Sequence, residues 1–401
     1  MTAPYEIETV TPRLTDAPSG FARAAAAAYV AATLLGVVMR FELAGVGSPI
    51  PFDHLLHAHS HTLYFGWAGL GILAAARASL RLTKPLRWAC VAVTVTVPFL
   101  YFGFLATGYA PFTIGVSTAV MVGWYVVAGG WWRQLANFDP IAALAFRYGL
   151  VYLVASTLGI WALAGIQATG GSRLAEDLAI HAFLLGFGWF FVFMVAGAMT
   201  VHRHRLGLAF DERAMRWTLH GWAVAAWAVF PLGVMGGAEV PGLGPLARAA
   251  GIALVVPGVA WVVVVWRAAQ PGPLQLLHRL AGLWFGLTIA ATASAGALGS
   301  EGLVMAGRQG VVIFLHALFA GFVTPVLVVL VSRRFPIVAL RFHHAALAVM
   351  LLGLAVVALG GSVLGLRMAA VGAVALWVAG IGWSVPILRR HQGVLVTDQG
   401  S

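Results

Sequence analysis

The sequence carries very little charge for its length. Only 9% of its 401 residues are Asp, Glu, Lys or Arg, whereas 61% are hydrophobic and the mean hydropathy is +0.92. An average soluble domain is about 25% charged. A water-soluble globule of this size could not cover its surface with so few ionisable groups. The composition therefore predicts an integral membrane protein and excludes a disordered chain or a coiled coil.

Cysteine and acidic residues, which many functional sites need, are also scarce. Cys90 is the single cysteine, which excludes an intrachain disulfide, a Cys-x-x-Cys metal site and a Cys-x-x-Cys-His attachment of haem c. We interpret it as a small buried side chain. The 13 acidic residues fall in tails, loops or helix ends, and none lies mid-membrane, where proton relays place carboxylates. Proton pumping is therefore not expected.

Long apolar runs dominate what remains. A helix that crosses a bilayer needs about 20 mostly apolar residues. The sequence predicts an all-α integral membrane protein, in which 22–388 form one twelve-helix membrane domain between an N-terminal tail, 1–21, and a C-terminal tail, 389–401. The predicted spans are 22–41, 57–78, 87–107, 111–131, 142–165, 177–201, 216–236, 246–266, 279–299, 309–332, 344–362 and 367–388.

The basic residues predict the orientation of these spans. Of the 24 Lys and Arg residues, 19 lie in the N-terminal tail or in the segments that follow even-numbered spans. Basic loops are retained in the cytoplasm, so both termini are expected to be cytoplasmic, in the inner membrane of a bacterium. The net charge of +11 is thus a topology signal, and the expected partner is membrane lipid. A nucleic-acid partner is not expected, because no soluble domain carries a basic or aromatic cluster.

Thirteen histidines are unusual in so apolar a chain, and ionisable residues inside a membrane suggest function. Three of them open a His-x4-Gly-aromatic motif at intervals of 120 and 135 residues, which is four spans each time. This pattern predicts three four-helix arcs around a pseudo-threefold axis, with the histidines at equal depth. A glycine at the fifth position lets a neighbouring backbone or a flat ligand approach closely. The motifs are His61 with Gly66-Trp67, His181 with Gly186-Phe187, and His316 with Gly321-Phe322.

Converging imidazoles indicate a metal centre. Neutral imidazole is the commonest metal ligand in proteins and suits iron, copper and zinc. Thiolates and carboxylates are missing from the cores of these spans, which leaves haem iron or copper as the most consistent metals. His57 and His61 share one helix face, and His59 points to the other. The predicted cofactor-binding residues are His57, His59, His61, His181 and His316, and the predicted metal ligands are His59, His61, His181 and His316.

Apart from His54, which opens span 2 and which we interpret as solvated or hydrogen-bonded, the remaining histidines lie at cytoplasmic ends. We interpret them as solvated or hydrogen-bonded structural residues, and the adjacent pair His343-His344 receives no assigned role. They are His202, His204, His220, His278, His343, His344 and His391.

The segment His59-Ser60-His61-Thr62-Leu63-Tyr64-Phe65-Gly66-Trp67, together with histidines on spans 2, 6 and 10, resembles subunit I of the haem-copper oxidases. Length, span count and the repeated motif make the chain more similar to the NnrS family within that superfamily. The resemblance implies non-covalent b-type haem, copper as a further candidate metal, and a role in nitric oxide or related redox stress. It also implies a small diatomic ligand such as nitric oxide, whereas the electron donor is not indicated.

The chain departs from the oxidases at the binuclear centre. Span 6 reads His181-Ala182-Phe183 in place of His-Pro-Glu, span 7 has only His220 in place of a histidine pair, and Thr62 stands where the NnrS family typically has glutamate. If this chain is an oxidoreductase of the haem-copper type, it therefore lacks the usual binuclear-centre motifs. Two other classes stay open: a secondary transporter without metal, and a metal or haem sensor or assembly factor.

Overall fold

The computed structural model describes residues 19–170, 173–228, 243–332, 336–361 and 363–389. Within these ranges the chain is helical, and the only β-type pairing is an isolated bridge between Leu208 and Ala269. Two π-helical stretches interrupt the helices, π1 (Thr62–Gly69) and π2 (Ala317–Val323). The α-helices are α1 (Gly20–Leu43), α2 (Phe52–His61), α3 (Leu70–Ala76), α4 (Lys84–Thr107), α5 (Pro111–Trp132), α6 (Pro140–Thr169), α7 (Arg173–Val201), α8 (Glu212–Ala228), α9 (Leu243–Ala268), α10 (Gln275–His316), α11 (Thr324–Val331), α12 (Ile337–Ala358) and α13 (Val363–Leu388).

Seven helices in the described part of the chain are long and apolar enough to cross a membrane. They are Gly20–Leu43, Lys84–Thr107, Pro111–Trp132, Pro140–Ile166, Val312–Val331, Ile337–Ala358 and Val363–Leu388. Shorter apolar helices run over Gly186–Val201 and Ile252–Ala268. The prediction of an all-α integral membrane protein is confirmed at this level, and Cys90 is buried as expected.

Local sequence explains where several helices begin and end. The Ser19 hydroxyl accepts a hydrogen bond from the Ala22 amide at 3.2 Å at the start of α1, and an Asp139 carboxylate oxygen accepts from the Ile141 amide at 2.9 Å at the start of α6. Both satisfy amides that have no partner inside the helix. Gly170 ends α6 in the left-handed conformation, which favours glycine.

α10 differs from the expected arrangement. Residues 300–308 were predicted to connect two spans outside the membrane, but the backbone is helical from Gln275 to His316. This helical stretch is not a straight rod, because the rings of Phe285 and Phe322 lie 5.0 Å apart. The same 37 residues in a straight helix would cover about 55 Å. The chain therefore doubles back between Phe285 and Phe322, so that the two arms pack against each other.

The helices close on themselves around a common core. α1 packs against α13 as well as against α2, so the first and last spans are neighbours. The rings of Tyr29 and Trp383 lie 4.6 Å apart at this junction. A methyl group added at Gly380 would lie 2.6 Å from the Tyr29 ring, so glycine allows the close approach. A core of apolar side chains from most of the helices runs through the molecule.

Each motif glycine lies where its span meets the span immediately before it. A Cβ atom built at Gly66 would lie 2.7 Å from Ala28 Cβ on α1, at Gly186 2.8 Å from Ser156 Cβ on α6, and at Gly321 2.6 Å from Trp284 Cβ on α10. Real Cβ atoms do not approach so closely, so only glycine fits at all three crossings. The predicted reason for this glycine, close approach of a neighbouring helix, is confirmed.

The three motif-bearing spans also meet one another. Tyr64 of π1 lies 5.1 Å from Phe319 of π2 and 6.4 Å from Phe191 of α7, and Phe191 lies 5.3 Å from Phe319, measured between ring centroids. Trp67 Nε1 donates a hydrogen bond of 2.8 Å to Thr324 Oγ1 on α11. The spans that carry the repeated motif are thus brought together in the core.

The turn after α7 joins the opposite ends of these spans. His202 Nε2–H donates to the Ala75 carbonyl at 2.8 Å, and Arg205 donates to the carbonyls of Leu330, at 2.9 Å, and Ser332. Carbonyls at helix ends have no partner within their helix, so these bonds satisfy groups that burial would otherwise penalise. His278 Nε2–H likewise donates to Leu206 at 2.9 Å. The interpretation of His202 and His278 as hydrogen-bonded structural residues is confirmed.

Candidate metal centre

His59 and His316 face each other across a cavity between α1, α2 and the end of α10. Their ring centroids lie 6.4 Å apart and the ring planes differ by 19°. The cavity has a volume of about 310 Å³. His59 lies in the last turn of α2, and His316 is the last residue of α10, directly before π2. Two histidines separated by 257 positions in sequence thus line one cavity.

Both rings are held by backbone carbonyls through the same nitrogen. His59 Nδ1 lies 2.7 Å from the Ala32 carbonyl oxygen on α1, and His316 Nδ1 lies 2.7 Å from the Val312 carbonyl oxygen one turn earlier. A carbonyl only accepts, so the proton of each neutral ring is on Nδ1. Each Nε2 therefore keeps a free lone pair, and metal-ligating histidines are normally oriented by such a bond from the other nitrogen.

The separation of the rings fits one metal between them. A metal–nitrogen bond is about 2.0 Å and the ring centroid lies about 1.1 Å farther, so opposite imidazoles on one ion have centroids about 6.2 Å apart. The observed 6.4 Å agrees with that value. In the described part of the chain, no group of three or more His, Cys, Asp or Glu side chains could hold a bare ion. Haem iron needs only two axial ligands from protein, so this donor set fits haem.

The cavity walls suit a flat, largely apolar group that carries carboxylates. Tyr29, Tyr64 and Phe319 contribute aromatic surface to the lining. Arg40, in the last turn of α1, also lines the cavity and supplies its one guanidinium among the lining residues. An arginine can bind a carboxylate through two parallel hydrogen bonds, as a haem propionate would require. The aromatic walls and the positive charge of Arg40 therefore fit haem, the cofactor that the two imidazoles indicate.

Gly36 makes the position of His59 possible. A Cβ atom at Gly36 would lie 3.0 Å from His59 Cε1, which is tighter than nearly all real contacts. With hydrogen in place of a side chain, the imidazole can lie against α1 and reach the Ala32 carbonyl. The sequence analysis did not single out this glycine, because nothing in its neighbourhood marks it apart from the other glycines of the span.

The other predicted ligands lie elsewhere. His57 and His61 are on the opposite face of α2, as the helical period predicts, and the His61 ring lies 4.3 Å from Phe104. The structure thus pairs His316 with His59, whereas His61 turns toward α4. His181 belongs to α7, but its side chain lies outside the described residues, so a centre shared by His61, His181 and His316 stays a prediction.

A second buried pair lies beside π2. His343 Nε2–H donates to the Ala320 carbonyl at 2.8 Å, and Trp284 Nε1–H donates to His344 Nδ1 at 3.0 Å. Each ring keeps one buried nitrogen that has no hydrogen-bond partner in the structure, Nδ1 of His343 and Nε2 of His344. Ala320 also lines the cavity, so His343 contacts the segment that follows His316. The adjacent histidines within an apolar run were the only sequence signal for this contact.

The chain matches none of the protein-family models and none of the curated proteins with which it was compared. The choice of function therefore depends on the arrangement of the histidines, on the chemistry of their free nitrogens and on the resemblance carried by the His59–Trp67 segment.

Proposed function

We propose that this protein is a haem-binding membrane protein similar to the NnrS family of the haem-copper oxidase superfamily. His59 and His316 would hold the haem iron. The observation that carries the proposal is the pair itself: two imidazoles that line one cavity, each anchored through Nδ1, with a centroid separation that suits one iron between them.

The chain's own residues bind, orient and shield the group. The Ala32 and Val312 carbonyls hold the two imidazoles, Arg40 would supply a positive charge for propionate, and Tyr29, Tyr64 and Phe319 supply aromatic surface. When bound, haem supplies one-electron chemistry at iron. With His59 and His316 both holding the iron, the group would supply electron transfer rather than the binding of a gas.

The biological setting follows from the resemblance. A role in nitric oxide or related redox stress, and copper as a further metal, are implied by similarity to the NnrS family. The proposed location is a bacterial inner membrane, which the apolar helices and the resemblance support. A haem held by two histidines is compatible with an electron carrier, with an oxidoreductase that works with another centre, and with a haem sensor.

The proposed architecture is twelve spans in three arcs of four with both termini cytoplasmic. Three observations support it. Each motif glycine packs on the span that precedes it, the two arms of α10 double back on each other, and α1 closes against α13. The unequal distribution of Lys and Arg supports the orientation.

An absorption spectrum of the full chain, purified in detergent and recorded oxidised and then reduced, tests the haem proposal. We expect a Soret band that shifts on reduction. The band should be lost in His59→Ala and in His316→Ala, and it should survive in His61→Ala, which serves as a control on the same helix. A colourless, metal-free but stable protein would favour the transporter alternative. A band that survives both the His59 and the His316 replacement would place haem elsewhere.

A further inference from the structure

π2 leaves the carbonyl of Ala320 without a donor from its own helix. In an α-helix this carbonyl would accept from the Thr324 amide, but that amide donates to Phe319, five residues back. In a π-helix it would accept from residue 325, which is proline and has no N–H. The π-helical register therefore needs a donor for Ala320 from another part of the chain.

His343 of α12 supplies this donor. Its Nε2–H donates to the Ala320 carbonyl at 2.8 Å, and the residue has no exposed surface. A buried carbonyl without a partner is strongly penalised, because neither water nor protein replaces the lost hydrogen bond. The bond from α12 therefore stabilises π2 in its π-helical register, in which the Thr324 amide is taken by Phe319.

The register of π2 sets the direction of His316. This histidine directly precedes π2, and Phe319 and Ala320 of π2 line the same cavity. A π-helical stretch contains more residues per turn than an α-helix, so rewinding π2 as an α-helix would rotate His316 relative to α11 by about 100°, the angle of one residue. α11 itself is held by the bond of 2.8 Å from Trp67 Nε1–H to Thr324 Oγ1, so the rotation would fall on His316.

The neighbouring histidine makes its bond elsewhere. Trp284 Nε1–H donates to His344 Nδ1 at 3.0 Å, which ties α12 to the first arm of α10. His344 is buried, as His343 is, but the bond from Trp284 does not replace a missing donor in π2. The two adjacent imidazoles therefore separate the loss of a buried hydrogen bond from the loss of the donor to Ala320.

We propose that His343 is a positioning residue for His316. By donating to Ala320, it holds π2 in the register that turns the His316 imidazole into the cavity. The consequence for haem binding rests on the proposed function, whereas the position of His316 can be measured without haem.

The direct test uses the haem-free, full-length protein in detergent, labelled with nitrogen-15 histidine. Ring nitrogen signals report the surroundings of each imidazole, and those of His316 are the signals lost in His316→Ala. We expect them to shift in His343→Leu, which has no donor, and to stay in place in His343→Gln, whose side-chain amide can donate to Ala320. His343→Met, a flexible side chain without a donor, should shift them too and serves if the leucine variant does not fold.

His344→Leu is the matched control, since it removes one buried hydrogen bond from the adjacent position. It should lower the melting temperature and leave the His316 signals in place. Unchanged His316 signals in folded His343→Leu or His343→Met would overturn the proposal. Equal shifts in His343→Leu and His344→Leu would overturn it as well, because the effect would then come from general loosening of α12.

Haem titration separates this inference from the haem proposal. His343→Leu should bind haem about 10-fold more weakly than the parent and with a shifted midpoint potential, as expected for loss of a residue that supports a ligand. His343→Gln should restore both properties. A parent protein without a Soret band would refute the haem proposal, and the nitrogen-15 spectra would still decide whether His343 positions His316.

Discussion

The two faces of α2 carry the same side chain in opposite surroundings. His59 points inward, is 9% exposed, and donates to a carbonyl 27 residues away on α1. His57 and His61 point outward, beside a tyrosine that is more than half exposed. On the inner face, the imidazole lines a cavity and is fixed by another helix. On the outer face, both rings are only partly buried and lie beside Tyr109. The surroundings, and not the histidines themselves, distinguish the two faces.

The largest expected effect on stability separates the two faces directly. His59→Ala removes a buried hydrogen bond and opens a cavity, which should cost about 2–4 kcal/mol. His57→Ala removes a partly exposed ring and should cost less than about 1 kcal/mol. Thermal denaturation of both haem-free variants in detergent measures the difference. Equal melting temperatures would show that burial of His59 does not distinguish the inner face from the outer one.

Gly66→Ala tests the packing of α1 on the span that begins with α2, on which the inner face depends. The added methyl group would lie 2.7 Å from Ala28 Cβ, and such overpacking should cost about 1–3 kcal/mol. Gly188→Ala is the control, because its nearest neighbour, Leu318, would lie at an ordinary 3.5 Å. That variant should keep or raise the melting temperature, since alanine favours helix over glycine by about 1 kcal/mol. Similar losses in both variants would contradict a special role for the motif glycine.

Gly108→Ala tests the turn that holds Tyr109 over the outward face of α2. A left-handed conformation costs an alanine about 1–2 kcal/mol, and the methyl group would also meet His54. The turn that holds Tyr109 should lose stability, so the melting temperature should fall while the Soret band stays. Gly115→Ala on α5, where a methyl group meets nothing within 4 Å, should lower neither readout. Loss of the Soret band in Gly108→Ala would show that the two faces are not independent.

The smallest expected effect concerns His202, a buried histidine in the turn after α7. Burial and the nearby Arg205 charge lower the pKa of His202 from its ordinary value of 6.5, against the opposing effect of its bond to Ala75. The unfolded chain then binds more protons below pH 6.5, so stability is complete above that pH and falls as the pH drops through it. Melting temperatures between pH 8 and 5 should show the decline, and His202→Gln should reduce it. An unchanged slope in the variant would assign the decline to other groups.

Much of the fold follows from local features of the sequence. The apolar runs predict membrane helices because a lipid environment requires apolar side chains and internally satisfied backbones. The spacing of His57, His59 and His61 predicts two opposite faces because the α-helix has 3.6 residues per turn. The motif glycines predict close helix crossings because any larger side chain would clash. The helical backbone through 300–308 was not predicted, because a stretch with a charged residue near each end is typical of a polar connection between spans.

The sequence by itself determined the membrane class, the helices and the division of the α2 histidines between two faces, because these depend on neighbouring residues and a fixed helical period. Only the tertiary structure decided that His59 and not His61 faces His316, that Tyr109 lies over the outer pair, and that π-helical turns follow two of the motif histidines. These features depend on the register and rotation with which distant helices pack. A rotation of a helix by one residue, about 100°, changes the partner of a side chain, and no local pattern predicts that rotation.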